Sequence, residues 1–144
     1  MKRLVAVVAL LTASTLALAQ ATPVGLWKTI DDETKTEKSL VRITEAGGVL
    51  SGKIEKLLDP KTAADAVCEK CSDERKDKPV VGLTIIRNAK ADAAKEHWEG
   101  GDIVDPNNGK VYKLRLKPLD GGKKLEVRGY IGPFYRNQQW IRVE

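Results

Sequence analysis

Cysteine, histidine and large aromatic residues are scarce in this chain of 144 residues. It holds two cysteines, one histidine and one phenylalanine, and aromatics make up only 5% of it. Two cysteines and His97 fall short of the four ligands a structural zinc site takes, so carboxylates would have to complete any such set. Past the leader the serines are Ser39, Ser51 and Ser72, none in a nucleophile-elbow motif, and no spacing marks a partner for His97 or a pair of catalytic carboxylates. Nothing in the sequence calls for a catalytic residue, a cofactor or a metal. After residue 21 no apolar run reaches the roughly 20 residues of a bilayer-spanning helix. Lysine and arginine are dispersed among acids instead of clustering between aromatics, which argues against a nucleic-acid partner. The formal charge of +5 includes Lys2 and Arg3, so the rest of the chain carries about +3.

The long apolar stretch that is present lies at the start. Met1-Lys2-Arg3 is basic, Leu4 to Leu11 is almost wholly apolar, and Ala17-Leu18-Ala19 and Ala19-Gln20-Ala21 each end in a small-x-small pattern. This is the form of an export signal cleaved after Ala19 or Ala21, with no cysteine at the cut to accept a lipid. Residues 1–21 are therefore read as a signal peptide and residues 22–144 as one domain of about 123 residues. The expected location is periplasmic or secreted, in an oxidising medium.

Beyond the leader, apolar residues recur with period two. In Lys110–Lys117, Tyr112, Leu114 and Leu116 share one face while Lys113, Arg115 and Lys117 share the other. Lys124–Arg128 repeats the alternation after the turn signal Leu119-Asp120-Gly121-Gly122. The same pattern predicts strands near Val24–Ile30, Glu37–Thr44, Val49–Leu57, Val80–Arg87, Trp98–Val104 and Phe134–Val143. Eight consecutive strands joined mostly by short turns, each apolar on one face, avoid exposed edges by closing. The fold class is all-β, an eight-stranded antiparallel up-and-down barrel. Asp105-Pro106-Asn107-Asn108-Gly109 reads as a hairpin turn, and Lys113, Arg115, Lys117, Lys124 and Arg128 form a basic stripe suited to solubility or to docking on anionic headgroups or glycans.

One connection is too long for a hairpin. Leu58 to Pro79, between strands three and four, begins with Asp59-Pro60, a helix-start signal that predicts a short helix through Ala66. Cys68 and Cys71 follow, then the charged run Asp73–Lys78, read as solvated. In an oxidising medium the pair is a disulfide candidate. Zinc would need ligands from His97, Asp65, Glu69, Asp73 or Glu74, and a redox motif would need Cys68 at a helix N-terminus in a βαβ setting. Asn88–Glu96, rich in Ala and Lys, suggests a further helical turn.

Two resemblances attach to these residues. Gly25-Leu26-Trp27 on the first strand and Arg142 near the end of the last resemble the lipocalin and calycin signature, which implies that Arg142 packs over Trp27 and shuts one end of the barrel. Gly25-x-Trp27-x-Thr29, Gly52-Lys53-Ile54, Cys68-x-x-Cys71, Lys78–Leu83, Trp98-x-Gly100-Gly101-x-Ile103-x-Asp105-Pro106 and Leu125–Gly132 follow in order as in the bacterial secreted family DUF2147. That resemblance implies an exported lipocalin-like barrel and no established activity.

An eight-stranded barrel either fills its interior or holds one small ligand. Leu50, Ile54, Leu83, Ile85, Tyr112, Leu114 and Leu116 are the candidate pocket-lining residues. The first functional reading is a binding protein for a small apolar or amphipathic, lipid-like ligand. The second is a solid-barrel interaction or inhibitor module for an envelope protein, and an enzyme comes third.

Overall fold

The computed structural model describes residues 21–144, so the export-signal reading of the leader lies almost wholly outside the described residues. Eight strands follow in order: β1 (Gly25–Ile30), β2 (Glu37–Ala46), β3 (Val49–Leu57), β4 (Thr84–Ala91), β5 (Trp98–Val104), β6 (Val111–Leu119), β7 (Lys124–Ile131) and β8 (Phe134–Arg142). Each pairs antiparallel with its sequence neighbour, and β8 returns to β1 through Trp27↔Arg142 and Lys28↔Ile141, closing the barrel. The period-two pattern explains the closure. Leu114 and Leu116 on β6 and Leu125 and Val127 on β7 turn inward and are buried, while the charged residues between them face out.

Up-and-down connectivity sorts the loops by end. The β2–β3, β4–β5 and β6–β7 turns share one end with the start of β1 and the finish of β8. The β1–β2 loop, the long β3–β4 connection and the β5–β6 and β7–β8 turns share the other. The first end is packed solid by Trp27, Val41, Ile43, Leu50, Leu116, Leu125 and Trp140.

Three local expectations are corrected. Strand four is Thr84–Ala91, not Val80–Arg87, because Val80 and Leu83 are buried as part of the incoming loop and Gly82 turns at φ +92 between them. Asn88 does not start a helical turn. It adopts φ +60 within β4, and Ala89 beside it is fully buried. Residues 60–66 form turns without a helix: Asp59 Oδ1 accepts from the Lys61 amide, and its other oxygen binds Lys38 at 2.6 Å. A carboxylate held from both sides closes a turn as readily as it caps a helix.

Candidate functional site

The closed end is organised by one arginine. Trp27 is fully buried, its indole N–H donates to the Pro23 carbonyl at 2.7 Å, and the Arg142 guanidinium lies 4.2 Å from the ring centroid. Arg142 also donates to the carbonyls of Gly122 (2.5 Å), Val24 (2.8 Å) and Thr22 (2.6 Å). Burial lowers its pKa from the ordinary arginine value, yet a guanidinium remains charged at physiological pH. A cation satisfied by three carbonyls and an indole face ties the segment before β1, the β6–β7 turn and β8 into one lid. Gly25 is required here: it sits at φ +144, and a Cβ would collide with the Arg142 guanidinium.

The long connection is docked against the barrel. Cys68 and Cys71 form a disulfide, and both are buried. The segment is pinned by the Val67↔Pro79 bridge, by Cys68 N–H to Lys78 O at 2.8 Å and by Asp77 N–H to Cys68 O at 2.9 Å. It presses on the β5–β6 turn so closely that a Cβ on Gly109, at φ +72, would strike the Lys70 carbonyl. The charged run is not uniformly solvated. Arg75 is only 5% exposed, forks onto both oxygens of Asp73 and donates to the Thr84 carbonyl at 3.0 Å. Those hydrogen bonds, first from the Arg75 side chain and then from its amide, hold Asp73 down to about 2. Arg87 on β4 completes the clamp by pairing with Asp73, Glu74 and Asp102.

Between the two ends the interior is not filled. A cavity of about 280 Å³ opens at the loop-bearing end. Its apolar wall comes from Ile54, Ile85, Ile103, Val104 and Val127, and Trp140 lines it as well. Its polar wall comes from Thr29, Ser39, Lys38, Tyr112, Arg136 and Gln138, with Asp31, Glu33, Asp105 and Asn107 from the loops at the mouth. Thr29 and Ser39 are buried and share a hydroxyl–hydroxyl bond of 2.9 Å. Trp140 donates to Gln138 Oε1 at 3.0 Å, which fixes both side chains. At the rim, Arg136 forks onto Asp32 at 3.0 and 2.5 Å. Burial pushes the Asp32 carboxyl up, but the Arg136 hydrogen bonds and charge outweigh it and hold the group below its ordinary value.

Of the seven residues expected to line a pocket, Ile54, Ile85 and Tyr112 border this cavity. Leu50, Leu83, Leu114 and Leu116 do not: Leu50, Leu114 and Leu116 are buried in the core packed by large aliphatic side chains and two tryptophans, and Leu83 is buried as part of the incoming β3–β4 loop. Inward alternation alone does not tell a side chain near the mouth from one near the sealed end. Residues that reasoning missed are Thr29, Ser39, Ile103, Val127, Arg136 and Gln138. The signal for two of them was present in Arg136-x-Gln138-x-Trp140, polar residues at inward positions of β8.

The remaining candidates are scattered. His97 Nδ1 lies 3.2 Å from Asp92 Oδ2 on the β4–β5 turn, at the end away from the cavity. The basic stripe is interrupted by Glu126, which sits 3.6 Å from Arg115 and 3.7 Å from Arg128. Asp105 accepts from the Asn107 amide at 2.8 Å in its turn. Among the described residues no group of three or more His, Cys, Asp or Glu side chains is arranged to hold a metal ion.

The fold has a solved counterpart. A structure described as "Protein HP1028 from the human pathogen Helicobacter pylori belongs to the lipocalin family" superposes with a TM-score of 0.72 at 17% identity, covering 87% of this chain and 85% of that one. At that identity the likeness is one of fold, and it makes this barrel lipocalin-like. No curated protein matches the sequence. The model of a family described as "Uncharacterized protein conserved in bacteria" matches residues 25–142, and the chain therefore belongs to that family, DUF2147.

Proposed function

We propose that this protein is an exported binding protein for a small apolar or amphipathic ligand, held in the mouth of the barrel. One observation carries the reading: the barrel is sealed and packed at the Trp27–Arg142 end but hollow at the other, with about 280 Å³ between an apolar wall and a polar one. That volume lies near the lower end of small-molecule sites, roughly 300–1,000 Å³. It suits one short chain or ring system. A bulky multi-chain lipid would exceed it. The apolar wall would take the body of the ligand, and Thr29, Ser39, Lys38 and Arg136 would meet its polar end. The lipocalin-like neighbour supports the reading at the level of fold, and the disulfide suits an oxidising compartment.

The experiment is mass spectrometry of a solvent extract of the protein purified, without detergent, from its own bacterium. A compound that co-purifies in near-equal amount with wild type, and is lost from a Val127→Phe/Ile85→Phe protein whose cavity is filled, supports binding. An empty protein favours the envelope-interaction reading instead.

A further inference from the structure

The β7–β8 hairpin ends in an apolar tip that the barrel does not cover. Gly132-Pro133 forms its turn, and Ile131 pairs with Phe134 across it. Val127, Gly129, Arg136 and Gln138 line the cavity, so by alternation Ile131 and Phe134 continue the same inner wall beyond the mouth. There they are uncovered: Phe134 is 77% exposed and Ile131 48%. An exposed phenylalanine is notable in a chain that has only this one. On the outer face of the same hairpin Tyr130 and Tyr135 pack at 5.9 Å, with the Arg128 guanidinium 4.4 Å from the Tyr135 ring. Lys110 and Lys113, on the neighbouring turn and strand, are exposed and make no ion pair among the described residues. Of the acids at this end, Asp32 and Glu33 are engaged by Arg136, Asp102 opposite Lys113 is engaged by Arg87, and Asp105 in the turn with Lys110 accepts the Asn107 amide.

We infer that this hairpin tip docks on an anionic lipid bilayer, with Phe134 and Ile131 entering the headgroup–acyl boundary, Tyr130 and Tyr135 at headgroup level, and Lys110, Lys113 and Arg128 facing lipid phosphates. The layering of apolar tip, tyrosines and cations follows the polarity gradient of a membrane interface. Charge complementarity selects an anionic surface over a neutral one. A second copy of the chain is a poorer occupant. Ile131, Pro133 and Phe134 form too small a patch for the roughly 1,200 Å² that a stable dimer buries. Strand addition is also unavailable, because the closed barrel leaves no free edge. Docking in this pose turns the mouth toward the headgroups, where an amphipathic ligand could pass between bilayer and cavity. That consequence rests on the ligand-binding reading, whereas the docking does not.

The test is co-sedimentation of the protein with vesicles of phosphatidylcholine alone or mixed with phosphatidylglycerol. Binding is expected to the anionic vesicles and to weaken in high salt. Phe134→Ser should lower the partition coefficient at least about ten-fold, the scale of one aromatic ring returned to water, while Phe134→Leu keeps most of it. Lys110→Gln/Lys113→Gln should lower it several-fold at low salt. Ile141→Ser, at an exposed apolar position away from the tip, should change nothing, and the thermal midpoint should stay constant throughout. Absence of vesicle binding, equal binding to neutral vesicles, or binding indifferent to Phe134→Ser would overturn the inference. So would a dimer in sedimentation velocity that Phe134→Ser dissolves, since the tip would then serve a second copy. Vesicle binding retained by the cavity-filled Val127→Phe/Ile85→Phe protein separates docking from ligand binding.

Discussion

Removing the Trp27 ring tests whether the closed end holds the barrel together. Trp27 is fully buried, its N–H satisfies the Pro23 carbonyl, and its face carries Arg142. Truncating a buried tryptophan to alanine costs about 3–5 kcal/mol, most of it the cavity left behind. The lost indole hydrogen bond and cation–π contact fall within that range and are not added to it, since the effects overlap. With a urea slope of about 1.5 kcal/mol/M, a loss of 4 kcal/mol moves the midpoint by roughly 2–3 M. Such a change could leave no folded protein, so two milder variants carry the argument. Trp27→Phe keeps an aromatic face but orphans the Pro23 carbonyl and should cost about 1–2 kcal/mol. In a double-mutant cycle, Trp27→Leu with Arg142→Met should show a coupling of about 0.5–2 kcal/mol, the scale of a cation–π pair. The assay is equilibrium urea unfolding followed by circular dichroism. A Trp27→Phe protein within about 0.5 kcal/mol of wild type, or a coupling of zero, would refute the reasoning.

Three further outcomes are expected. Cys68→Ala/Cys71→Ala should fold with a loss of about 3 kcal/mol, roughly 2 from loop entropy and the rest from two buried sulfurs, and thiol titration of wild type purified without reductant should find no free thiol. The Asp73 carboxylate, held down to about 2 by Arg75, contributes stability that is complete above its unfolded value near 3.8 and is lost as pH falls through about 2. Urea midpoints should therefore drop between about pH 4 and pH 2, and Asp73→Asn should lose no more than about 1 kcal/mol at pH 7 because the group is partly solvated. Lys113→Gln/Lys117→Gln should stay within about 0.5 kcal/mol of wild type in the same assay, since neither lysine makes an ion pair among the described residues.

The barrel was legible because closure depends on a repeated local signal. Alternation in Lys110–Lys117 and the glycine-bearing turns appear in short windows, and strands three and five begin and end where that alternation does. Strand four was misplaced for a nameable reason. Val80 and Leu83 are apolar because a docked loop buries them, and a loop that joins the core looks like a strand in one dimension. The Ala- and Lys-rich Asn88–Ala91 looked helical, but pairing with β3 and β5 overrides so weak a propensity. Arg75 was hidden in a run of charges: Asp73 is its neighbour two residues away, but only the fold buries Arg75 and brings the Thr84 carbonyl to its guanidinium. The cavity was the least legible feature. Its walls come from all eight strands and two loops, and its depth is set by where the two tryptophans fill the barrel, which no single window records.

The central claim is a ligand cavity at the mouth, and titration with the fluorescent amphiphile 1-anilinonaphthalene-8-sulfonate tests it most directly. The same titration is made on wild type, on Val127→Phe/Ile85→Phe, and on Phe134→Ser to account for dye held at the exposed tip. The account predicts one saturable site per chain in wild type and in Phe134→Ser, weakened at least about ten-fold in the filled protein. Equal binding by wild type and the filled protein, or no saturable site in either, would contradict it.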